Sequence, residues 1–170
     1  MDFPTVKELS RQKNAVRVLK FLKNSEEPLN FTDIYTSLDT NDCTILYWLK
    51  RLVRLGILKG VRSRANLHST YYSIADVEGV EWIIERYHWN VGFKLARLIP
   101  YEETEESKVR DDRRFKAMCE ENYLSISEGI SAVLSCPKIS SETHSGRSIL
   151  WRKEQGYDVD ILEEAKKAIG

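Results

Sequence analysis

The chain has 170 residues, and a hydrophobic share of 42% is enough for the packed core of one domain or two small ones, which excludes wholesale disorder. Its 26 basic and 26 acidic side chains are distributed unevenly, because residues 1–75 carry a net charge of +5 and residues 76–170 a net charge of −5. Three scattered cysteines exclude a disulfide framework, and the lack of a signal pattern and of a long uncharged apolar run predicts a cytoplasmic protein that does not span a membrane.

The first predicted element is a helix that begins at Thr5, with Glu8 completing a capping box, and continues to about residue 24. Pro28 cannot continue a helix and biases the residue before it towards extended geometry, so the chain turns there. Leu29 is expected to pair briefly as a short strand.

A pair of helices joined by a tight turn is predicted next. Asn30 is a suitable N-cap for a short helix, and the turn DTND leads into a second helix over residues 41–55, capped by Thr40 or Asn41. The second helix has apolar residues at three- and four-residue spacing, the mark of one buried face: Ile45, Leu49, Leu52 and Val53.

A basic hairpin follows this helix. Gly56 is expected to end the helix in the left-handed conformation, and two runs rich in β-branched and aromatic residues then predict a hairpin wing over residues 57–74. Between residues 43 and 75 there is no Asp or Glu, whereas six basic residues occur there. A helix and hairpin of this charge are suited to contact a phosphate backbone, although a solvated basic face is the plainer explanation of such a run.

A long apolar helix is predicted over residues 77–99, capped by Asp76 and ended by Pro100. Its apolar side chains cover more than one face, so a one-sided surface helix does not explain them. Burial between two layers of the chain and contact with a second copy are both open. We favour dimerisation, with these residues at the interface: Trp82, Ile83, Tyr87, Val91, Leu95 and Leu98.

The rest of the chain is less patterned. The acidic segment 101–107 is predicted to be a linker, with a solvated helical continuation as the alternative. In residues 108–170 we expect a helix to about residue 122, a helix capped by Ser125 or Ser127, a hairpin around Gly146 and a last helix. This order roughly echoes the first half of the chain.

Residues 12–76 resemble the winged helix-turn-helix of bacterial and archaeal transcription regulators. The resemblance is carried by L-K-R-L at Leu49–Leu52, G-I-L at Gly56–Leu58, and the returning strand at Tyr71–Tyr72. It implies that the helix after the turn enters the major groove of DNA and that the wing contacts the backbone or the minor groove.

The fold class that follows is mostly α with small β-hairpins (α+β). A winged helix-turn-helix would occupy residues 1–76, the long helix residues 77–100, and a small α/β-hairpin domain or a second winged helix residues 108–170. The role of that last domain, including contact with another protein, is open.

The resemblance implies double-stranded DNA as the partner of a transcription regulator, and a homodimer would match two half-sites. Carried over by position, the DNA-binding residues are Asn41, Asp42, Thr44, Tyr47, Lys50, Arg51, Arg54, Arg62, Arg64, Asn66 and His68.

Two other classes of function remain. Cys43, Leu46 and Trp48 make the reading helix unusually apolar, and Asp42 repels phosphate, so the alternative is a winged-helix interaction module within a larger assembly that does not bind DNA. An enzyme is the least favoured class. No nucleophile accompanies His68 or His88, and the spacing of the remaining cysteines and of His144 matches no zinc pattern, so no catalytic residue, metal or cofactor is predicted.

Overall fold

A computed structural model describes residues 1–65, 68–96, 98 and 105–136, without the side chains of residues 105–112 and 134. The chain is mostly helical, with one small antiparallel sheet. In chain order the elements are α1 (Phe3–Leu9), α2 (Lys13–Lys23), β1 (Leu29–Asn30), α3 (Phe31–Leu38), α4 (Asp42–Arg54), β2 (Leu58–Arg62), β3 (Thr70–Ile74), α5 (Val77–Ala96), α6 (Glu105–Glu121) and α7 (Ile126–Ser135). Two compact units divide within α5: the first is Met1–Tyr87 and the second begins at His88.

The N-terminal segment forms two helices, so the prediction of one helix from Thr5 to residue 24 was wrong. Asp2, not Thr5, is the N-cap of α1, and its carboxylate accepts a hydrogen bond from the Thr5 amide at 3.1 Å. The buried residues explain the break at residues 10–12. In one continuous helix Val6 would point about half a turn, and Leu9 about a third of a turn, away from the centre of the buried face of α2. Interrupting the helix brings both sets into one core.

The three strands form a sheet in the order β1, β3, β2, with both pairings antiparallel. Leu58 to Arg62 pair in register with Ile74 to Thr70, which confirms the predicted hairpin, and Leu29 pairs with Tyr72, which confirms the predicted short strand. Helix, strand, helix, helix and hairpin, with the first strand beside the last, is the winged-helix arrangement. The predicted α+β fold class is confirmed.

Local capping explains where the central helices begin and end. Asn30 and Asp33 form a reciprocal capping box at the start of α3, with hydrogen bonds of 2.9 and 3.3 Å. Gly56 follows α4 with a φ of +73°, the left-handed conformation predicted for it. The next amide, of Ile57, donates to the Leu52 carbonyl at 3.0 Å and so directs the chain into β2.

The core of the first unit is aliphatic. Its fully buried side chains come from every helix of the unit and from the segment before β2: Leu9, Leu19, Ile34, Ile45, Leu49, Leu52, Ile57 and Ile83. Trp48 is 7% exposed, so this residue belongs to the core rather than to a base-stacking surface. The core holds α4 against α2 and α3 and leaves one face of α4 free.

Helix α5 begins as predicted, because the Asp76 carboxylate accepts a hydrogen bond from the Gly79 amide at 2.8 Å. Most of its apolar side chains are buried within the chain: Val80, Ile83, Tyr87, Val91, Leu95 and Ala96 are each at most 5% exposed. Burial between layers therefore accounts for most of the apolar character of this helix. Within the described residues, no helix is long and apolar enough to span a membrane.

The second unit contains the end of α5 together with α6 and α7. Ser125 caps α7 through a capping box with Glu128, so the first of the two predicted caps is the one observed. Helix α6 begins at Glu105, inside the segment predicted as a linker over 101–107, whose role stays a prediction. The hairpin around Gly146 and the last helix lie outside the described residues.

Helices α5 and α7 pack closely against each other at Gly92. A methyl group at this position would lie 2.1 Å from the carbonyl oxygen of Ala132 and 3.0 Å from the backbone nitrogen of Val133. Because the obstacle is backbone, no side-chain rotation relieves it. Glycine is therefore required here for packing.

We predict that Gly92→Ala lowers the free energy of unfolding by about 1–3 kcal/mol or more, the usual cost of overpacking. Gly79→Ala on the same helix is the comparison for a side-chain obstacle, since the atoms nearest its methyl belong to the Met1 side chain and the Asp76 carboxylate, and moving that carboxylate costs about 1 kcal/mol of helix capping. The gain of about 1 kcal/mol in helix propensity from glycine to alanine is common to both variants. Thermal unfolding followed by circular dichroism measures the difference, and equal midpoints would contradict the packing argument.

Candidate nucleic-acid interface

Helix α4 begins and ends with side chains that suit its own dipole. The Asn41 side chain accepts a hydrogen bond from the Cys43 amide at 2.9 Å, and Asp42 lies in the first turn. Arg51 and Arg54 lie in the last turn. An acid at the start and bases at the end stabilise any helix, so these charges have a structural explanation that does not involve a ligand.

One face of α4 is left exposed by the packing of the other. Ile45, Trp48, Leu49 and Leu52 are buried. At about 100° per residue, the opposite side of the helix carries a continuous stripe, here called the α4 stripe. Its members are all exposed: Cys43, Leu46, Tyr47, Lys50 and Arg54.

The wing continues this surface. Val53 of α4 packs beside β2, since a methyl group on Gly60 would lie 3.7 Å from its side chain. Along the same hairpin Leu58 and Tyr72 turn inward and are buried. The Lys, Arg and His side chains of the hairpin and its tip are exposed: Lys59, Arg62, Arg64 and His68. The end of α4 and the base of the wing thus adjoin, and the basic residues from both elements belong to one compact unit.

The predicted DNA-binding residues divide into three groups. Tyr47, Lys50 and Arg54 lie together on the α4 stripe, and Arg62, Arg64 and His68 are exposed on the wing. Asn41 and Asp42 are exposed but both accept hydrogen bonds from the Cys43 amide, and Thr44 is half-buried. Asn66 lies outside the described residues. Arg51 is discussed separately.

Arg51 is held by two partners within the chain. One guanidinium nitrogen donates to the Tyr47 hydroxyl at 2.7 Å, and the other forms an ion pair with Glu8 of α1. The guanidinium also lies 5.5 Å from the centre of the Trp48 ring. The hydrogen bond with Tyr47 and the nearby Glu8 carboxylate raise the pKa of Arg51 above its ordinary value. Its charge is therefore partly compensated before any ligand arrives.

Sequence reasoning named Cys43 and Leu46 as apolar residues of this helix but left them out of the DNA-binding set, and it did not connect Glu8 with Arg51. Cys43 and Leu46 lie in the α4 stripe, and a helical projection from the buried positions would have found them. Glu8 has no such signal, because it is 43 positions from Arg51 and reaches it only through the tertiary fold.

The predicted dimer interface is mostly inside the chain. Ile83, Tyr87, Val91 and Leu95 are buried, and Leu98 is half-buried. Trp82 is 50% exposed and points away from the buried face. Of the six residues, Trp82 is the most exposed and so the one most available to a second copy.

No metal centre is found in the part of the chain that the structure describes, where no three His, Cys, Asp or Glu side chains cluster. Burial raises the pKa of the Cys119 thiol to about 11, and the Cys136 thiol donates to the Trp89 carbonyl at 3.3 Å. Both thiols are core groups. His144 lies outside the described residues.

The chain has little similarity to known proteins. No protein-family model matches the sequence, and no curated protein matches it. Among solved structures it is similar to a mutant of S. aureus MepR bound to an oligodeoxyribonucleotide, at 14% sequence identity and a TM-score of 0.41, over 69% of this chain and 89% of that chain. A likeness at this level carries no conclusion about function, so the winged-helix assignment rests on the order and pairing of the elements.

The Cys43 thiol provides a test of the local geometry, because it is the one exposed thiol among the three of the chain. A hydrogen bond to the Asp42 carboxylate, and the charge of that carboxylate, raise the pKa of Cys43. A raised pKa leaves less reactive thiolate at neutral pH. We predict that Asp42→Asn shifts the pH profile of Cys43 alkylation to lower pH and speeds alkylation at pH values below the wild-type pKa.

Mass spectrometry of the alkylated protein measures this rate and also reports whether the two buried thiols stay unmodified. Asp39→Asn is the matched control, since it removes an exposed carboxylate from the preceding turn and asparagine tolerates the left-handed conformation of that residue. Equal alkylation profiles for the two variants would disprove the contact between Cys43 and Asp42.

Proposed function

We propose that this chain is a DNA-binding protein of the transcription-regulator class, with α4 in the major groove and the wing over residues 57–74 on the backbone. One observation carries the proposal. The α4 stripe and the wing are adjoining exposed surfaces with Lys50, Arg54, Arg62 and Arg64, and no carboxylate occurs in the sequence between residues 43 and 75. A winged helix presents those two elements to duplex DNA.

The residues divide by chemistry. Arg54, Arg62 and Arg64, with Lys50, supply cations for phosphates, which give affinity but little sequence information. Tyr47 has the hydroxyl that could read a base edge, while Leu46 and the Cys43 side chain are apolar enough to contact a thymine methyl. His68 and Asn66 would lie at the wing tip, near the backbone or an adjacent minor groove.

A second candidate is supported by the exposed apolar residues of α4 and of the wing. Leu46, Tyr47, Val61 and Tyr71 are between 36% and 52% exposed. Aromatic and aliphatic side chains of this kind also suit a winged helix that docks on another protein. Binding to duplex DNA separates the two functions, because a protein-docking surface does not show the salt dependence of phosphate contacts.

The first test is the affinity for a mixed-sequence duplex, measured by fluorescence anisotropy over a range of salt concentrations. We predict that the logarithm of the binding constant falls linearly with the logarithm of salt concentration. Lys50→Gln/Arg54→Gln and Arg62→Gln/Arg64→Gln should each weaken binding and make the slope shallower, by about 0.9 for each phosphate contact removed.

Arg113→Gln/Lys116→Gln is the matched control, since it removes the same charge from exposed positions of α6. This variant should keep the wild-type slope if the contacts are local to the α4 stripe and the wing. An absence of duplex binding by the wild-type protein, even at low salt, would reject DNA as the ligand and favour the protein-docking function.

We also propose that the protein acts as a homodimer in the cytoplasm, and that exposed Trp82 contributes to the contact between the two copies. An aromatic side chain that is half exposed on a helix surface is a common interface anchor. Trp82→Glu is predicted to shift the protein from dimer to monomer in sedimentation or light scattering. Tyr35→Glu makes the same kind of change at an exposed aromatic of α3 and should leave the mass unchanged. A Trp82→Glu protein that stays dimeric would disprove this contact.

A further inference from the structure

The side chains of Glu8, Arg51 and Tyr47 form a hydrogen-bonded chain that joins α1 to the α4 stripe. The Glu8 carboxylate accepts from the Arg51 guanidinium, and the guanidinium donates to the Tyr47 hydroxyl oxygen at 2.7 Å. The last member, Tyr47, is 52% exposed. The chain therefore starts at a helix outside the candidate interface and ends on its surface.

Aromatic packing around Arg51 also holds the Arg51 and Tyr47 side chains in place. The Tyr47 and Trp48 rings meet edge to face, with centroids 5.1 Å apart and planes at 79°. The Arg51 guanidinium lies 6.0 Å from the first ring centre and 5.5 Å from the second. Trp48 is buried and anchored in the core, so the tyrosine is positioned through its neighbours rather than by its own burial.

The direction of the hydrogen bonds determines what Tyr47 offers to a ligand. A phenol has one proton to donate, and guanidinium has donors but no acceptor. Since the Tyr47 oxygen accepts from Arg51, its own proton is left for a group outside this chain of bonds. Hydrogen bonds in series polarise one another, so accepting from a cation makes the hydroxyl a better donor.

We propose that Arg51 is a positioning residue, held by Glu8, which makes Tyr47 a hydrogen-bond donor that selects an acceptor on DNA. The proposal rests on the DNA-binding function proposed above. It identifies the recognised chemistry as an acceptor at a major-groove base edge, such as guanine O6 or N7, thymine O4 or adenine N7. It also removes Arg51 from the phosphate contacts, because its charge is already engaged by a carboxylate.

The test separates sequence preference from phosphate contact. A preferred duplex is first selected with the wild-type protein from a random-sequence pool. Affinities for that duplex and for a mixed-sequence duplex are then measured over a range of salt concentrations. The variants are Tyr47→Phe, Arg51→Gln and Glu8→Gln, with Lys50→Gln as the comparison for a phosphate contact, and each is checked by circular dichroism.

If Arg51 acts through Tyr47, Tyr47→Phe and Arg51→Gln should each reduce the preference for the selected duplex by about three- to tenfold, the value of one hydrogen bond. The double variant should lose no more than either single variant, since both remove the same contact. The salt slope should stay at the wild-type value in both, whereas Lys50→Gln should make it shallower by about 0.9 and keep the preference.

Glu8→Gln should change the affinity for the mixed-sequence duplex and the preference for the selected duplex in opposite directions. It frees the Arg51 charge, so the affinity for the mixed-sequence duplex should rise while the preference for the selected duplex falls. If Glu8 only stabilised the fold, its substitution would not raise the affinity for the mixed-sequence duplex while lowering the preference for the selected one. If Arg51→Gln does not fold, Tyr47→Phe and Glu8→Gln still decide the question, because both alter exposed side chains.

Three outcomes would overturn the proposal. The first is an Arg51→Gln protein with a shallower salt slope and an intact preference, which makes Arg51 a phosphate contact and leaves the DNA-binding function standing. The second is a wild-type protein that binds duplexes but selects no sequence, which leaves Tyr47 without a base to read. The third is a wild-type protein that binds no duplex, and in that case the DNA-binding function fails as well.

Discussion

The packing of one face of α4 is the constraint on which the rest of the surface depends. Ile45, Leu49 and Leu52 are at most 1% exposed, and Trp48 closes the same face. Once these side chains are fixed in the core, the helix cannot rotate about its axis. A rotation by the angle between two successive residues would bury a lysine or an arginine. The identity of the exposed stripe is therefore a consequence of the aliphatic core and not of the exposed residues themselves.

The position of the wing follows from the end of the same helix. Gly56 adopts the left-handed conformation that most other residues avoid, and Ile57 is buried directly after it. The Ile57 carbonyl accepts from the Ala75 amide at 2.9 Å, so the hairpin is closed at its base by the residue that anchors it. Core packing thus determines both where α4 points and where the wing begins, and places the basic residues of the two elements side by side.

Local sequence patterns predicted the helices and strands whose boundaries are determined by neighbouring residues. Asn30 was identified as a cap, Asn41 and Ser125 each as one of two candidate caps, Gly56 as a helix stop, and the hairpin by its composition, because each signal acts within a few residues. The N-terminal helix was predicted wrongly because a capping pattern at Thr5 was weighed without the phase of Val6 and Leu9. The helical spacing alone contained the information needed to correct it.

Features that depend on distant residues were beyond the sequence. The apolar residues of α5 had two explanations, and only the three-dimensional packing shows that Ile83, Tyr87, Val91 and Leu95 are already covered within the chain. The same holds for Arg51. Its charge counted towards a basic surface until the fold brought Glu8 beside it. A count of charged residues along a sequence gives the largest charge that a surface could carry. The ion pairs in the fold determine how many of those charges are available to a ligand.

The pairing of Arg51 with Glu8 affects which residues of the surface would supply affinity and which would supply selectivity. A partly exposed ion pair such as Glu8 with Arg51 contributes little to folding, because water screens the charges and the side chains lose freedom when they pair. The pair is therefore not needed to hold α1 in the first unit, where its Val6 and Leu9 side chains are buried. Its larger effect is local: it withdraws one cation from a surface where non-selective phosphate attraction grows with each free charge. On the proposed DNA-binding surface, fewer free cations on α4 leave a greater share of the discrimination to its uncharged side chains, of which Tyr47 has an exposed hydroxyl proton to donate.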